Sequence, residues 1–159
     1  RQSVIEYAIR ACEKMRNQNT RAQSVYIFLK TNKFNKGRQH NEGIVLGLST
    51  PCSDTAQILR LVTTAVDAIY KSGYLYQKAG IMLLDLIPAT TNQGDFFQNT
   101  NSSASDKRMH IIDSLNKKFG PGTISNGSLR SRNNKEWSGK RHYLSPRYTT
   151  QWDELPHVM

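Results

Sequence analysis

Residues 24–31, SVYIFLKT, alternate with a period of two, and this stretch constrains the fold more than any other. Val25, Ile27 and Leu29 fall on one face of the implied strand; Tyr26, Phe28 and Lys30 fall on the other. A strand with one wholly aliphatic face must bury it, and the flanking segments supply the cover. Residues 3–17 place Val4, Ile5, Ala8, Ile9, Cys12 and Met15 on one helical face, with Glu6, Arg10, Glu13, Lys14 and Arg16 largely opposite. A second strand, Ile44 to Leu48, follows the polar loop TNKFNKGRQHNEG, so the two strands predict a long hairpin with a basic, mobile tip.

The next helix is announced by Pro51, Ser53 and Asp54, with Asp54 as N-cap and Gln57 three residues on. Ile58, Leu61, Val62, Ala65, Val66 and Ile69 give it an apolar face, and Gly73 ends it. Residues 78–87 form a third strand, nearly continuous in apolar character and therefore expected at the centre of a sheet. The order α-β-β-α-β predicts an α+β sandwich with helices on one sheet face. By symmetry between its halves, one more strand before Arg1 would complete a β-α-β-β-α-β unit. The chain begins at Arg1, so it reads as a fragment or processed product.

Beyond Pro88 the character changes. Thr90 to Ser105 is almost all Thr, Asn, Gln, Ser and Ala, the composition of a solvated linker, yet it carries the adjacent rings Phe96 and Phe97. Exposing them forgoes roughly 1.5–3 kcal/mol each relative to burial, so they either fold back onto a core or await a partner. A short helix is expected at 106–119, through Met109, Ile112, Leu115 and Phe119, stopped by Gly120-Pro121-Gly122. Asn126-Gly127 signals a turn, and HYLSPRYTTQWDELPHVM reads as an extended arm that packs on something.

Charge sets the class of partner. The formal net charge is +10, and both 1–88 and 89–159 contribute to the excess. A basic chain of this size commonly meets phosphate. Lys33, Lys36 and Arg38 cluster around Gly37 in the hairpin loop, Lys30 lies beside them, and Lys78 begins the third strand. Such a lysine-bearing sheet suits contacts to a phosphate backbone without base selectivity. Cys12 and Cys52 read as small core residues of a reducing compartment. The four histidines form no metal spacing, and no apolar run approaches a membrane span. No phosphate loop, nucleophile elbow or paired strand-end carboxylates appear, so the residues point to binding and not to catalysis. Asp85 is expected to be hydrogen-bonded at a strand end.

The succession AIRACEKMR, SVYIFLKTNKF, SDTAQILRLVTTAVDAIYKSGYLYQKAGIML and YLSPRYTTQWDELP resembles the UmuC-type Y-family, error-prone DNA polymerases. The resemblance spans essentially the whole chain, in order; Tyr76 to Gly80 and Leu144 to Thr150 are its most specific pieces. It implies that 1–88 form most of a little-finger domain, lacking its first strand, which grips the primer-template duplex through residues such as Lys30, Lys33, Lys36, Arg38 and Lys78. It implies that 89–105 tether a peptide, Gln93, Asp95, Phe96 and Phe97, that docks on the sliding clamp. Gly94 departs from the leucine frequent in that peptide. It further implies that 106–159 bind a processed UmuD-type partner, for which Trp137, Tyr143, Leu144, Tyr148 and Trp152 are the anchors. The polymerase as a whole would use magnesium in the cytoplasm; the palm with its metal-binding acids would lie outside this chain, which would carry no cofactor of its own.

A different class of function also fits the alternation. A ferredoxin-like, single-stranded RNA-binding module with a disordered tail would need solvent-facing aromatics on a central strand, and Tyr26 and Phe28 are the candidates. The two helices compete for those same rings.

Overall fold

The structure, a computed structural model, describes residues 1–91, 102–128, 143–149 and 151–155, without the side chains of 102 and 103. Helix α1 (Gln2–Asn17) and helix α2 (Thr55–Ile69) follow the predicted apolar stripes. Val4, Ile5, Ala8, Cys12 and Met15 of α1 are buried with Ile58, Val62, Ala65, Val66 and Ile69 of α2. Leu59, and not Leu61, completes the α2 stripe. Asp54 caps α2 by accepting a hydrogen bond from the Ala56 amide. The helix stops at Ile69, and Gly73 lies beyond it in a turn at φ +82°, a backbone geometry that a Cβ disfavours.

Strand β1 (Thr20–Thr31) and strand β2 (Asn41–Cys52) form the predicted antiparallel hairpin, several residues longer at the far end than the alternation indicated. A register shift between Ala22 and Ser24 hides that extension, because it breaks the period of two. Strand β3 (Tyr76–Leu84) pairs antiparallel with β1 on its other side, and strand β4 (Ile87–Pro88) pairs with Thr20 and Arg21 of β1. The sheet order is β2-β1-β3, so β1 is central and β3 lies at an edge of this path. That overturns the central position read from the apolar run at 78–87. The run is split: Ala79, Ile81 and Leu83 pack on the core, Met82 is 49% exposed, and Asp85 adopts φ +51°. Asp85 accepts from the Ser24 hydroxyl, as a strand-end carboxylate should.

Val25, Ile27 and Leu29 of β1 join Ile44, Leu46 and Leu48 of β2 beneath the two helices. Each fully buried aliphatic side chain there contributes about 1.5–3 kcal/mol relative to exposure. Helix α3 (Ser102–Phe119) starts four residues before its predicted onset, inside the stretch read as linker, and ends before Gly120 at φ +103°. It docks on α1 and the start of α2, with Met109 buried. Among the described residues, a 3-10 turn, Trp152–Glu154, is the remaining regular element.

Candidate nucleic-acid interface

The hairpin tip, expected to be mobile, is instead tied by hydrogen bonds within the loop. Thr31 and His40 close it: the Thr31 amide donates to the His40 carbonyl at 3.0 Å, and the His40 amide donates to the Thr31 hydroxyl at 3.0 Å. Inside, the Gln39 amide nitrogen faces three carbonyl oxygens, those of Asn32 (3.0 Å), Asn35 (2.7 Å) and Gly37 (3.3 Å). The Asn32 side chain accepts from the Phe34 amide at 3.0 Å, a local bond typical of asparagine in turns. Around these bonds, the loop carries Lys33, Lys36 and Arg38, all exposed. Phe34 is 82% exposed, and the Lys33 ammonium sits 5.1 Å from its ring centre.

The base of the tip is braced against β3. The Tyr76 hydroxyl lies 3.0 Å from Nδ1 of the buried His40, whose Nε2 is 3.2 Å from a Glu42 carboxylate oxygen. Lys71 bonds the same oxygen at 3.0 Å; that bond, with its charge, holds the Glu42 carboxyl below the usual range. The sequence reading missed this brace, because its members are scattered over 40–76 without any motif spacing.

Lys30 and Lys78 are register partners across β1 and β3, so two predicted cations share one position of the sheet. Both lie on the face opposite the helices, together with Tyr26, Phe28, Val45, Gly43, Gly80 and Met82. Among the described residues, no element covers that face. The helices therefore claim the aliphatic face of β1, and Tyr26 and Phe28 on the other face are half-buried. The structure brings Lys30 and Lys78 together on the sheet and gathers Lys33, Lys36 and Arg38 at its adjoining tip.

The other candidate residues divide. Gln93, Asp95, Phe96, Phe97 and Trp137 lie outside the described residues. Tyr143 is 100% exposed and Trp152 87%; Leu144 and Tyr148 are exposed as well. Their turn is pinned by Arg147, whose guanidinium meets Glu154 at 2.6 Å and 3.0 Å. Among the described residues, α3 is the C-terminal element that packs back on the core. Arg16 holds Asp113, Arg21 and Ser53 hold Asp106, and Asp54 accepts from Ser105 and Arg108.

Comparison with known proteins places this geometry in context. The model for the impB/mucB/samB family C-terminal domain matches residues 1–96, and one for a domain of unknown function (DUF4113) matches 106–158. Protein UmuC of Salmonella typhimurium is 36% identical over 99% of this chain and 37% of its own length. Protein ImpB of Salmonella typhimurium is 32% identical over 98% of the chain and 36% of its length. Protein MucB of Escherichia coli is 27% identical, again over 98% of the chain and 36% of its own length. The chain thus spans little more than a third of the curated relatives it matches.

Proposed function

The chain belongs to the impB/mucB/samB family, through the C-terminal domain that names it, and from that premise we propose that it is the DNA-gripping and protein-docking portion of a UmuC-type translesion polymerase. The observation that carries this reading is the preformed hairpin tip, with Lys33, Lys36 and Arg38 exposed beside the Lys30–Lys78 pair. A loop already tied by several internal hydrogen bonds loses less freedom on binding, so its cations meet phosphates at lower entropic cost. Ammonium and guanidinium groups on a loop contact phosphate without reading bases, which suits a protein that must hold any duplex beside a damaged template.

Two docking elements complete the proposal. Gln93, Asp95, Phe96 and Phe97 form a peptide for the sliding clamp, its two rings filling an apolar pocket on that partner. Gly94 removes an apolar contact there and raises the ordering cost, which lowers affinity. Tyr143, Leu144, Tyr148 and Trp152, presented on the turn pinned by Arg147 and Glu154, serve a processed UmuD-type partner together with Trp137. Nucleotide transfer, with its magnesium and its cytoplasmic setting, belongs to the whole polymerase. Among the described residues no three His, Cys, Asp or Glu side chains group to hold a metal, and the role proposed for this chain requires none.

The direct test is a titration of the 159-residue chain with two primer-template duplexes of unrelated sequence. Equal affinities that fall steeply with salt support the reading; no binding at low salt opposes it. A second reading, the single-stranded RNA module, is favoured by one observation: Tyr26 and Phe28 lie on the uncovered face of the central strand. Preference for single-stranded RNA over duplex DNA would select it.

A further inference from the structure

The sheet ends at β2 in a long, unblunted edge. Among the described residues β2 pairs with β1 alone, so its outer N–H and C=O groups face solvent. The pairing is regular over residues 41–47, and that stretch carries no Lys, Arg or Pro; Glu42, near its start, is its one charge. Sheet edges are ordinarily protected by lysines, a proline or a bulge. Here the register breaks only beyond Gly47, and Pro51 lies past the break. The cover over this edge is incomplete as well. Val25 and Ile27 of β1 are fully buried, whereas Ile44, Leu46 and Leu48, on the same face of β2, are only partly covered. On the other face Val45 is 56% exposed. Above β2, Asp67 of α2 pairs with Arg1 at the head of α1. Leu61 and Ala68, on the other side of the buried face of α2, therefore lie toward the free edge. Leu61 is partly covered and Ala68 exposed.

Crossovers between parallel strands are right-handed. β2 and β3 are parallel, both being antiparallel to β1, and α2 joins them across β1. With both helices on one face, the same hand would set a strand preceding α1 beyond β3, on which α1 packs, and leave the edge of β2 open. The occupant of that edge must match a strip without cations on a chain of net charge +10. An acidic partner is drawn to the cations elsewhere; another copy, equally basic, is repelled by them and meets least resistance here. An edge strand is also self-complementary, since a two-fold axis sets it antiparallel to its own copy with like faces together. We infer that residues 41–47 form a homodimerisation edge, at which two copies of this chain join their β2 strands into one continuous sheet. Ile44, Leu46, Leu48 and Leu61 of each copy gain cover from the other, and the two basic tips project at opposite ends. This pairing is independent of what the tips hold.

Light scattering and sedimentation of the full 159-residue chain, from micromolar to near-millimolar concentration, test the pairing without any mutation. A monomer–dimer equilibrium is expected, and the dimer should strengthen with salt, which screens the repulsion between two basic chains. Val45→Lys should weaken it by about tenfold or more, while Met82→Lys, on β3, should leave it unchanged. Both native thiols are buried, so a nitroxide attached through Val45→Cys reports one position. Pulsed dipolar spectroscopy should find those labels closer together than labels attached through Lys78→Cys. In the joined sheet the two β3 strands lie five strand spacings apart, roughly 24 Å, and the two β2 strands one. A chain that stays monomeric throughout would overturn the pairing. A dimer indifferent to Val45→Lys, or one whose position-78 labels are the closer pair, would equally overturn it. If Val45→Lys does not fold, the native chain's concentration series and the label distances decide. None of these results bears on the duplex titration, so the polymerase reading stands or falls separately.

Discussion

Arg16 on α1 and Asp113 on α3 meet through two parallel hydrogen bonds, Nε to Oδ2 at 2.7 Å and Nη2 to Oδ1 at 2.8 Å. The other terminal nitrogen of the same guanidinium reaches the Ser53 carbonyl at 2.9 Å and the Thr55 hydroxyl at 2.8 Å. One arginine therefore ties α1, the start of α2 and α3 into a single joint. Asp113→Ala leaves that cation half-buried without its carboxylate. The expected loss is up to about 3 kcal/mol, since breaking a largely buried pair costs more than the pair contributes. Urea denaturation should register the loss, and hydrogen exchange should speed up within α3. Unchanged stability and exchange would mean that this pair does not hold the helix.

Asp54 gives the fold a defined response to acid. Burial alone raises its pKa, but hydrogen bonds from Ser105 and the Ala56 amide, with the charge of Arg108, outweigh burial and hold it below 3.8. A carboxyl depressed in the folded state adds stability that is fully present above its unfolded pKa. That stability is lost as pH falls through the folded value. Between about pH 5 and pH 3 the urea midpoint should drop, and the drop should be shallower in Asp54→Asn. Identical pH profiles for the two proteins would remove Asp54 from this role.

The thiols should be inert in the native chain. Both cysteines are free and buried, and burial pushes Cys12 up to about 12 and raises Cys52 as well. At mildly alkaline pH a thiol-titrating reagent should react with neither until denaturant is added. Rapid labelling of the folded protein would show that the α1–α2 core opens readily.

The tethered rings separate two functions. Phe96→Ala/Phe97→Ala should abolish binding to the sliding clamp while duplex affinity and thermal stability stay unchanged. A collapse of folding instead would place the rings in the core.

Much of the fold was legible because its signals are local. The period of two in 24–31 and the stripes of α1 and α2 depend on neighbours a few residues apart, and each element forms where they indicate. Strand order was not legible, because an apolar run looks alike at a sheet centre and at an edge whose outer face carries Met82. The onset of α3 was hidden by Ser102 to Ser105, which resemble linker; its hold on the core comes from Asp106, Arg108 and Asp113 meeting partners far along the chain. The basic tip was visible as a charge cluster. The Gln39 staple within it and the glycines beneath Tyr26 and Phe28 were not, since both depend on where the backbone passes.

The central claim is that the hairpin tip grips duplex DNA through its phosphates. The measurement that tests it compares the salt dependence of duplex affinity for the native chain and for Lys33→Ala/Lys36→Ala/Arg38→Ala. These side chains are exposed, so the fold should survive their loss. If each contacts one phosphate, the log–log slope should become shallower by about 0.9 per residue, roughly 2.7 in all, for any duplex sequence. An unchanged slope, with the variant folded, would contradict the account.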